Sequence, residues 1–296
     1  MARRFWRRPD GEVRVPVRLV LFAASFAALM WLTGRALPWA RASFIHTQPE
    51  GTLSVDLLRG LASARWLFSG LGATAVVATL ADGRAFARAG LRWHAGAGRD
   101  LGLGIGFASA AIASIAALLL VSRQAAFSVP GADAWSRLAA LPVAVAVTLV
   151  IGTSEEFLFR GYPFHLLVEG LGRAGGIVTL AGLFGLAHLG AGGTLAGVLG
   201  TAAWGAFLCL ARLRLGSLWF PIGFHWAGNL VEGVVFGMPT SGQSWSHPWL
   251  GYRSTGNTLL TGGAFGPEAS LFSAAVALAA WLVLSVRSGR APRHRT

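Results

Sequence analysis

Apolar residues run in long blocks along the chain, broken by short polar segments. The blocks are too continuous for half-buried strands, which alternate, or for amphipathic helices, which keep one polar face. A helix needs about 20 mostly apolar residues to cross a hydrocarbon core roughly 30 Å thick. Eight stretches approach or exceed that length: 17–37, 61–81, 101–122, 138–168, 175–190, 194–211, 217–236 and 269–286. The fifth and sixth are short, and only a Gly-rich link around Gly190–Gly193 separates them, so they read as a tight helical hairpin. The pattern predicts an all-α, polytopic membrane bundle of about eight transmembrane helices. Residues 1–137 would hold the first three spans and their loops. Residues 138–296 would hold the rest, with the candidate chemistry inside 150–236. The polar segments are 38–60, 82–100, 123–137 and 237–268. The first apolar stretch, Val17 to Leu37, exceeds the ~7–15 residues of a signal-peptide core and reads as a retained span.

Composition agrees with this pattern. Of the 296 residues, 54% are hydrophobic and 12% charged, about half the charge of a water-soluble domain. The net charge of +13 raises the question of nucleic-acid binding, which needs a basic face or stripe. The arginines form no such stripe. With eight spans both termini lie on one side, and most arginines fall on that side, including Arg3, Arg4, Arg7, Arg8, Arg18, Arg84, Arg88 and Arg212. The other side has Arg35, Arg41, Arg59, Arg65, Arg123, Arg137 and Arg253, together with Glu50, Asp56, Asp133 and Glu268. Arg-rich loops are cytoplasmic, so both termini are expected in the cytoplasm of a multi-pass cell-membrane protein. The charge is an orientation signal, and no nucleic-acid partner is expected. The single cysteine, Cys209, lies in the sixth stretch, which excludes an internal disulfide and any site needing two thiolates.

Ionisable residues at membrane depth are costly and mark functional sites by default. Glu155-Glu156-Phe157-Leu158-Phe159-Arg160 falls late in the fourth stretch. Adjacent helical residues point about 100° apart, whereas Glu156 and Arg160, four apart, can pair. That leaves Glu155 free to look elsewhere, as a general base would. The fifth stretch carries Phe184 and His188, and the seventh carries His225 and Asn229 on one helix face, which Glu232 extends. Glu232 would orient His225 or line a cavity. His165 is expected near the cytoplasmic end of the fourth span, where an imidazole needs no special explanation.

Depth links these groups. Counted at ~1.5 Å per residue from span ends at Glu169, Gly175 and Ser217, Glu155 lies ~21 Å in, His188 ~20 Å, His225 ~12 Å and Asn229 ~18 Å. One layer of the bundle could therefore hold all four. Such a set suits hydrolysis: Glu155 takes a proton from water with the help of His188, while His225 and Asn229 stabilise an oxyanion. Glu155, His188 and His225 also make a three-ligand set of the kind that holds catalytic Zn2+, and a metal-free glutamate mechanism is the alternative. Ser154 is not part of a G-x-S-x-G elbow, so serine chemistry is not expected.

The ordered motifs Glu155-Glu156…Arg160, Phe184…His188 and His225…Asn229 resemble those of the CAAX protease and bacteriocin-processing (CPBP, or Abi) family. Phe236–Gly242 and Thr261–Glu268 also look like bacterial members, so the resemblance covers about 140–270. It implies an eight-helix membrane endopeptidase, with a membrane-associated protein or peptide as substrate. Glu155 and His188 would activate water, His225 and Asn229 would form the oxyanion site, and Glu156 with Arg160 would support it. Family members are described both as metalloproteases and as metal-free glutamate enzymes, and the sequence leaves both open. Two other classes compete: a non-catalytic scaffold or bacteriocin self-immunity protein, and a proton-coupled transporter. Against the transporter, no inverted repeat is visible and the polar groups cluster in one half of the chain. The natural substrate and the oligomeric state are not encoded in any motif.

Overall fold

The computed structural model describes residues 6–8, 12–38, 51–131, 134–189 and 193–286. Most of the Gly190–Gly193 link, Arg3, Arg4, Arg41, Glu50, Asp133 and the tail from 287 onward lie outside these residues. The fold is all-α. Its principal helices are α1 Val15–Ala36, α2 Leu53–Leu80, α3 Ala85–Ala89, α4 Ala97–Val121, α5 Ala134–Arg160, α6 Tyr162–Ala187 and α7 Leu195–Leu215. They continue with α8 Trp219–Asn229, which widens into a π turn at Leu230–Val235, then α9 Thr258–Thr261 and α10 Leu271–Val286. A two-stranded antiparallel ribbon, β1 Ala125–Ser128 with β2 Gly251–Ser254, ties the α4–α5 connection to the long 237–268 segment. Among the described residues, five helical stretches are long and apolar enough to cross a membrane: α1, α2, α4, the run Ala134–Ala187 and α7.

One boundary departs from expectation. The apolar stretch 138–168 predicts a single helix, but the helix stops at Arg160 and a new one starts at Tyr162. Gly161 makes the break, with a non-helical ψ of −130°, and Pro163 stands in the first turn of α6, where its missing N–H costs nothing. His165 therefore belongs to α6, not to the helix that carries Glu155. The expected fifth span, 175–190, is the second part of α6, which bends at Gly172 through a positive φ of 73°. The helix end at Glu169 used for the depth of Glu155 is thus not the end of its helix. Glu155 lies five residues, about 7.5 Å, from the end of α5.

Small residues let the helices around the site approach closely. A Cβ on Gly104 of α4 would lie 2.2 Å from the Phe220 carbonyl oxygen, and one on Gly223 of α8 would lie 2.2 Å from that of Leu101. The α4 and α8 backbones thus meet at a reciprocal pair of glycines, the close crossing that small residues permit between membrane helices. Gly152 of α5 packs on the α8 backbone at Trp226, and Gly185 of α6 packs on Val198 of α7. The indole N–H of Trp226 donates to the Val145 carbonyl at 3.2 Å and fixes α8 against α5.

Charged clusters close both ends. At one end Arg18, 1% exposed, donates to Asp82 at 3.1 Å and to Glu169, while Arg88 reaches Asp82 and Glu12. Tyr162 donates its hydroxyl to Asp82 at 2.9 Å. Burial pushes the Asp82 carboxyl up, but the donors Tyr162, the Arg84 N–H and Arg88 outweigh it and hold the group below its ordinary range. This network joins α1, α3 and α6 to the end of α2. At the other end Asp56 accepts from the backbone N–H and hydroxyl of Ser246, and Arg59 donates to the Ser244 carbonyl at 2.8 Å. Asp56 and Arg59, expected in an outer loop, are buried in the first turns of α2, where they pin the 237–254 segment.

Candidate active site

The site is built where α5, α6 and α8 meet. Glu156 and Arg160 are fully buried one turn apart, and Arg160 donates to Glu156 Oε1 at 2.8 Å. The same oxygen accepts from His225 Nδ1 at 2.8 Å, so Glu156 holds an arginine from its own helix and a histidine from another. Glu156, and not Glu232, is the group that orients His225. The Arg160 guanidinium lies 3.9 Å from the centroid of the Phe184 ring, a cation–π contact in a dry setting. Gly205 of α7 makes room for it, since a Cβ there would stand 3.1 Å from Arg160 Nη2 and 3.0 Å from the Phe184 ring.

Phe184 links the motifs. Its carbonyl accepts from His188 Nδ1 at 2.8 Å, and its ring meets the His188 ring edge-on at 4.8 Å and the His225 ring at 6.2 Å. The hydrogen bond places the proton of neutral His188 on Nδ1 and leaves Nε2 as an acceptor. His188 caps the C-terminal end of α6. Its Nε2 stands 4.0 Å from Glu155 Oε2, and His225 Nε2 stands 3.7 Å from the same oxygen. Glu155 Oε2 is buried without a hydrogen-bond partner, although the side chain as a whole is 27% exposed. Both imidazoles thus converge on one carboxylate oxygen across gaps wider than a direct hydrogen bond.

Beside the imidazoles lies a cavity of about 80 Å³. Its polar lining includes His188, His225, Asn229, Glu232, Ser241 and Glu268. Its apolar lining includes Ala108, Ala111, Ile112, Leu208 and Phe224, contributed by α4, α7 and α8. Glu155 is not part of this lining and faces the two imidazoles that are. Sequence reasoning placed Glu268 among the outer charges. The structure sets it half-buried in this lining instead, with Ser241 donating its N–H at 2.9 Å and its hydroxyl at 3.0 Å. Burial pushes the Glu268 carboxyl up against the pull of those two donors. A usable signal was the glycine-rich run Gly262-Gly263…Gly266-Pro267, together with Gly200 of α7, whose Cβ would lie 2.0 Å from the Glu268 carbonyl oxygen.

A metal needs a converging ligand set. Ligands on one tetrahedral zinc stand roughly 3.3 Å apart, because each bond is about 2.0–2.1 Å. The two separations above are wider, and among the described residues no three His, Cys, Asp or Glu side chains are placed as ligands to one ion. Glu155, His188 and His225 as arranged do not fit that geometry, and the chemistry below runs through the chain's own groups.

The family model for type II CAAX prenyl endopeptidase Rce1-like proteins matches residues 137–231. This stretch of the chain is similar to that family. The Rce1-like region runs from the start of α5 into the π turn of α8 and contains Glu155, Glu156, Arg160, Phe184, His188, His225 and Asn229. It ends one residue before Glu232 and does not include Glu268. The match covers about a third of the chain, and its description is that of CAAX prenyl endopeptidases. No curated protein and no solved structure matches the chain.

Proposed function

We propose that the chain is a multi-pass membrane endopeptidase of CAAX type, in which Glu155 and His188 activate water and His225 and Asn229 receive the oxyanion. The observation that carries this reading is the convergence of the His188 and His225 Nε2 atoms on Glu155 Oε2, inside the Rce1-like region. A gap of 4.0 Å between an acceptor nitrogen and a carboxylate oxygen suits a water held by both. Glu155 takes a proton from that water as its oxygen attacks the peptide carbonyl. His225 donates its Nδ1–H to Glu156 in a hydrogen bond, so donation to the oxyanion requires a second proton on Nε2. Glu155 and Glu156 flank that imidazolium. The Asn229 side-chain amide supplies a neutral donor. A positioned base contributes about 10²–10⁴-fold in rate, and one oxyanion donor about 10²–10³-fold.

The same reading assigns about eight spans, three from residues 1–137 and the rest from the catalytic region 138–296. The seventh, α8 with its π turn, and the eighth, α10, are short for a span. Both termini are cytoplasmic in a cell membrane, as the arginine asymmetry supports. The substrate is a membrane-associated protein or peptide, and the aliphatic lining from α4 and α7 suits a hydrophobic chain beside the scissile bond. The test is to incubate the purified protein in nanodiscs with a farnesylated CAAX peptide and its unprenylated counterpart. Release of the C-terminal tripeptide, read by mass spectrometry, is the expected result, faster from the farnesylated peptide. No release from either peptide overturns the assignment.

A further inference from the structure

The cavity holds two carboxyls that the reaction above leaves idle. Glu232 is 2% exposed, lines the cavity, and has its Oε1 buried without a hydrogen-bond partner. Glu268 lines the same cavity in a different state: Oε2 and Oε1 accept the N–H and hydroxyl of Ser241. Donors to both oxygens make Glu268 the more acidic of the two carboxyls. Glu232 Oε1 has no donor, whereas each Glu268 oxygen has one, and the two carboxyls line the same cavity. Two carboxyls in one such cavity carry a single charge between them at the lowest cost. Pairs of acids whose surroundings drive them apart in this way are how hydrolases divide acid from base.

Glu232 is also well placed in sequence and on its helix. His225, Asn229 and Glu232 follow one face of α8, and all three line the cavity. The helix changes to π geometry at Leu230–Val235, around Glu232, a distortion that frequently accompanies functional sites. Gly233 beside it accommodates the Trp245 indole, which a Cβ would approach to 2.1 Å, so the turn is held from the outer segment.

We propose that Glu232 is the acid that protonates the leaving amine, and that Glu268 is the positioning residue that keeps Glu232 in its acidic form. The inference rests on the peptidase reading above. In the balanced step, water adds its oxygen to the carbonyl carbon and gives one proton to Glu155. The C–N bond then breaks with its electron pair on nitrogen, which takes the Glu232 proton and departs as an amine. Glu155 is left protonated and Glu232 ionised. Passage of that one proton through His188 or His225 to Glu232 restores both.

An activated nitrophenyl ester leaves without needing a proton, so comparing it with a peptide isolates the acid. Wild type, Glu155→Gln, Glu232→Gln and Glu268→Gln are assayed in nanodiscs on a farnesylated CAAX peptide and on the nitrophenyl ester of farnesylated cysteine, with thermal unfolding to establish folding. Glu232→Gln is expected to lower the peptide-to-ester ratio of turnover by about 100-fold, the contribution of one positioned acid. Glu155→Gln lowers both activities together and leaves the ratio in place. Infrared spectra at neutral pH are expected to show a protonated-carboxyl C=O band that disappears in Glu232→Gln and shifts in frequency in Glu268→Gln. A folded Glu232→Gln protein with an unchanged ratio, or a spectrum in which no protonated-carboxyl band depends on Glu232, overturns the proposal while the peptidase reading stands. A wild-type protein inactive on both probes removes the peptidase reading and this inference with it.

Discussion

At the scale of single residues, the strongest constraint is the Glu156–Arg160–His225 cluster. Glu156 and Arg160 are fully buried, and one carboxylate oxygen serves two partners. Removing one member of a buried pair costs more than the pair contributes, because the survivor is left charged and dry. Glu156→Gln is therefore expected to destabilise the folded protein by about 3–5 kcal/mol, measured by denaturant unfolding in detergent. A double change of Glu156 and Arg160 to leucine should cost less than the two single changes added together. Equal or greater cost in the double variant would contradict the coupling. The six polar motif residues were legible in the sequence because an apolar background makes each ionisable side chain conspicuous. Glu268 and Ser241 were not, because the glycine-rich run beside Glu268 signals close packing without saying what the carboxyl meets. The role of Phe184 was legible only as a motif position. The place of its ring under Arg160 depends on how α5 and α6 cross, which no local pattern encodes.

At the scale of elements, the site depends on how closely the helices approach. Gly104 and Gly223 put the α4 and α8 backbones in contact, which sets the position of the helix that carries His225 and Asn229. Gly104→Ala or Gly223→Ala forces a methyl group against a carbonyl oxygen and should cost about 1–3 kcal/mol or more, with a parallel loss of activity. Gly102 and Gly106 flank Gly104 on the same helix and have open space around them. Alanine at either one should be neutral or stabilising by about 0.5–1 kcal/mol, since it removes the entropic penalty of a helical glycine. Thermal unfolding of the four single variants checks the contrast, and equal effects at all four would contradict the close crossing. The helical blocks themselves were legible from hydropathy. The break at Gly161 was hidden because apolar residues continue on both sides of it, and Gly161 with Pro163 was the signal that outweighed them.

At the scale of the whole molecule, the arginine distribution and the two charged ends define an orientation. On the proposed orientation, the Arg18–Asp82–Arg88–Glu169 network lies at the cytoplasmic end and the ribbon of β1 and β2 at the opposite one. With the native Cys209 replaced by alanine, a cysteine at Thr255 should react with an impermeant maleimide in intact cells. A cysteine at Gly83 should react only after permeabilisation. The reverse pattern would overturn the orientation. Within that frame, the central claim is that Glu155 activates the attacking water. The most direct measurement is single-turnover cleavage of the farnesylated CAAX peptide by wild type and by Glu155→Gln in the same nanodiscs, with equal folding established by thermal unfolding. The account predicts a rate reduced by at least about 100-fold in Glu155→Gln with peptide binding retained, as expected for loss of a general base. A folded Glu155→Gln protein that cleaves at the wild-type rate would contradict it.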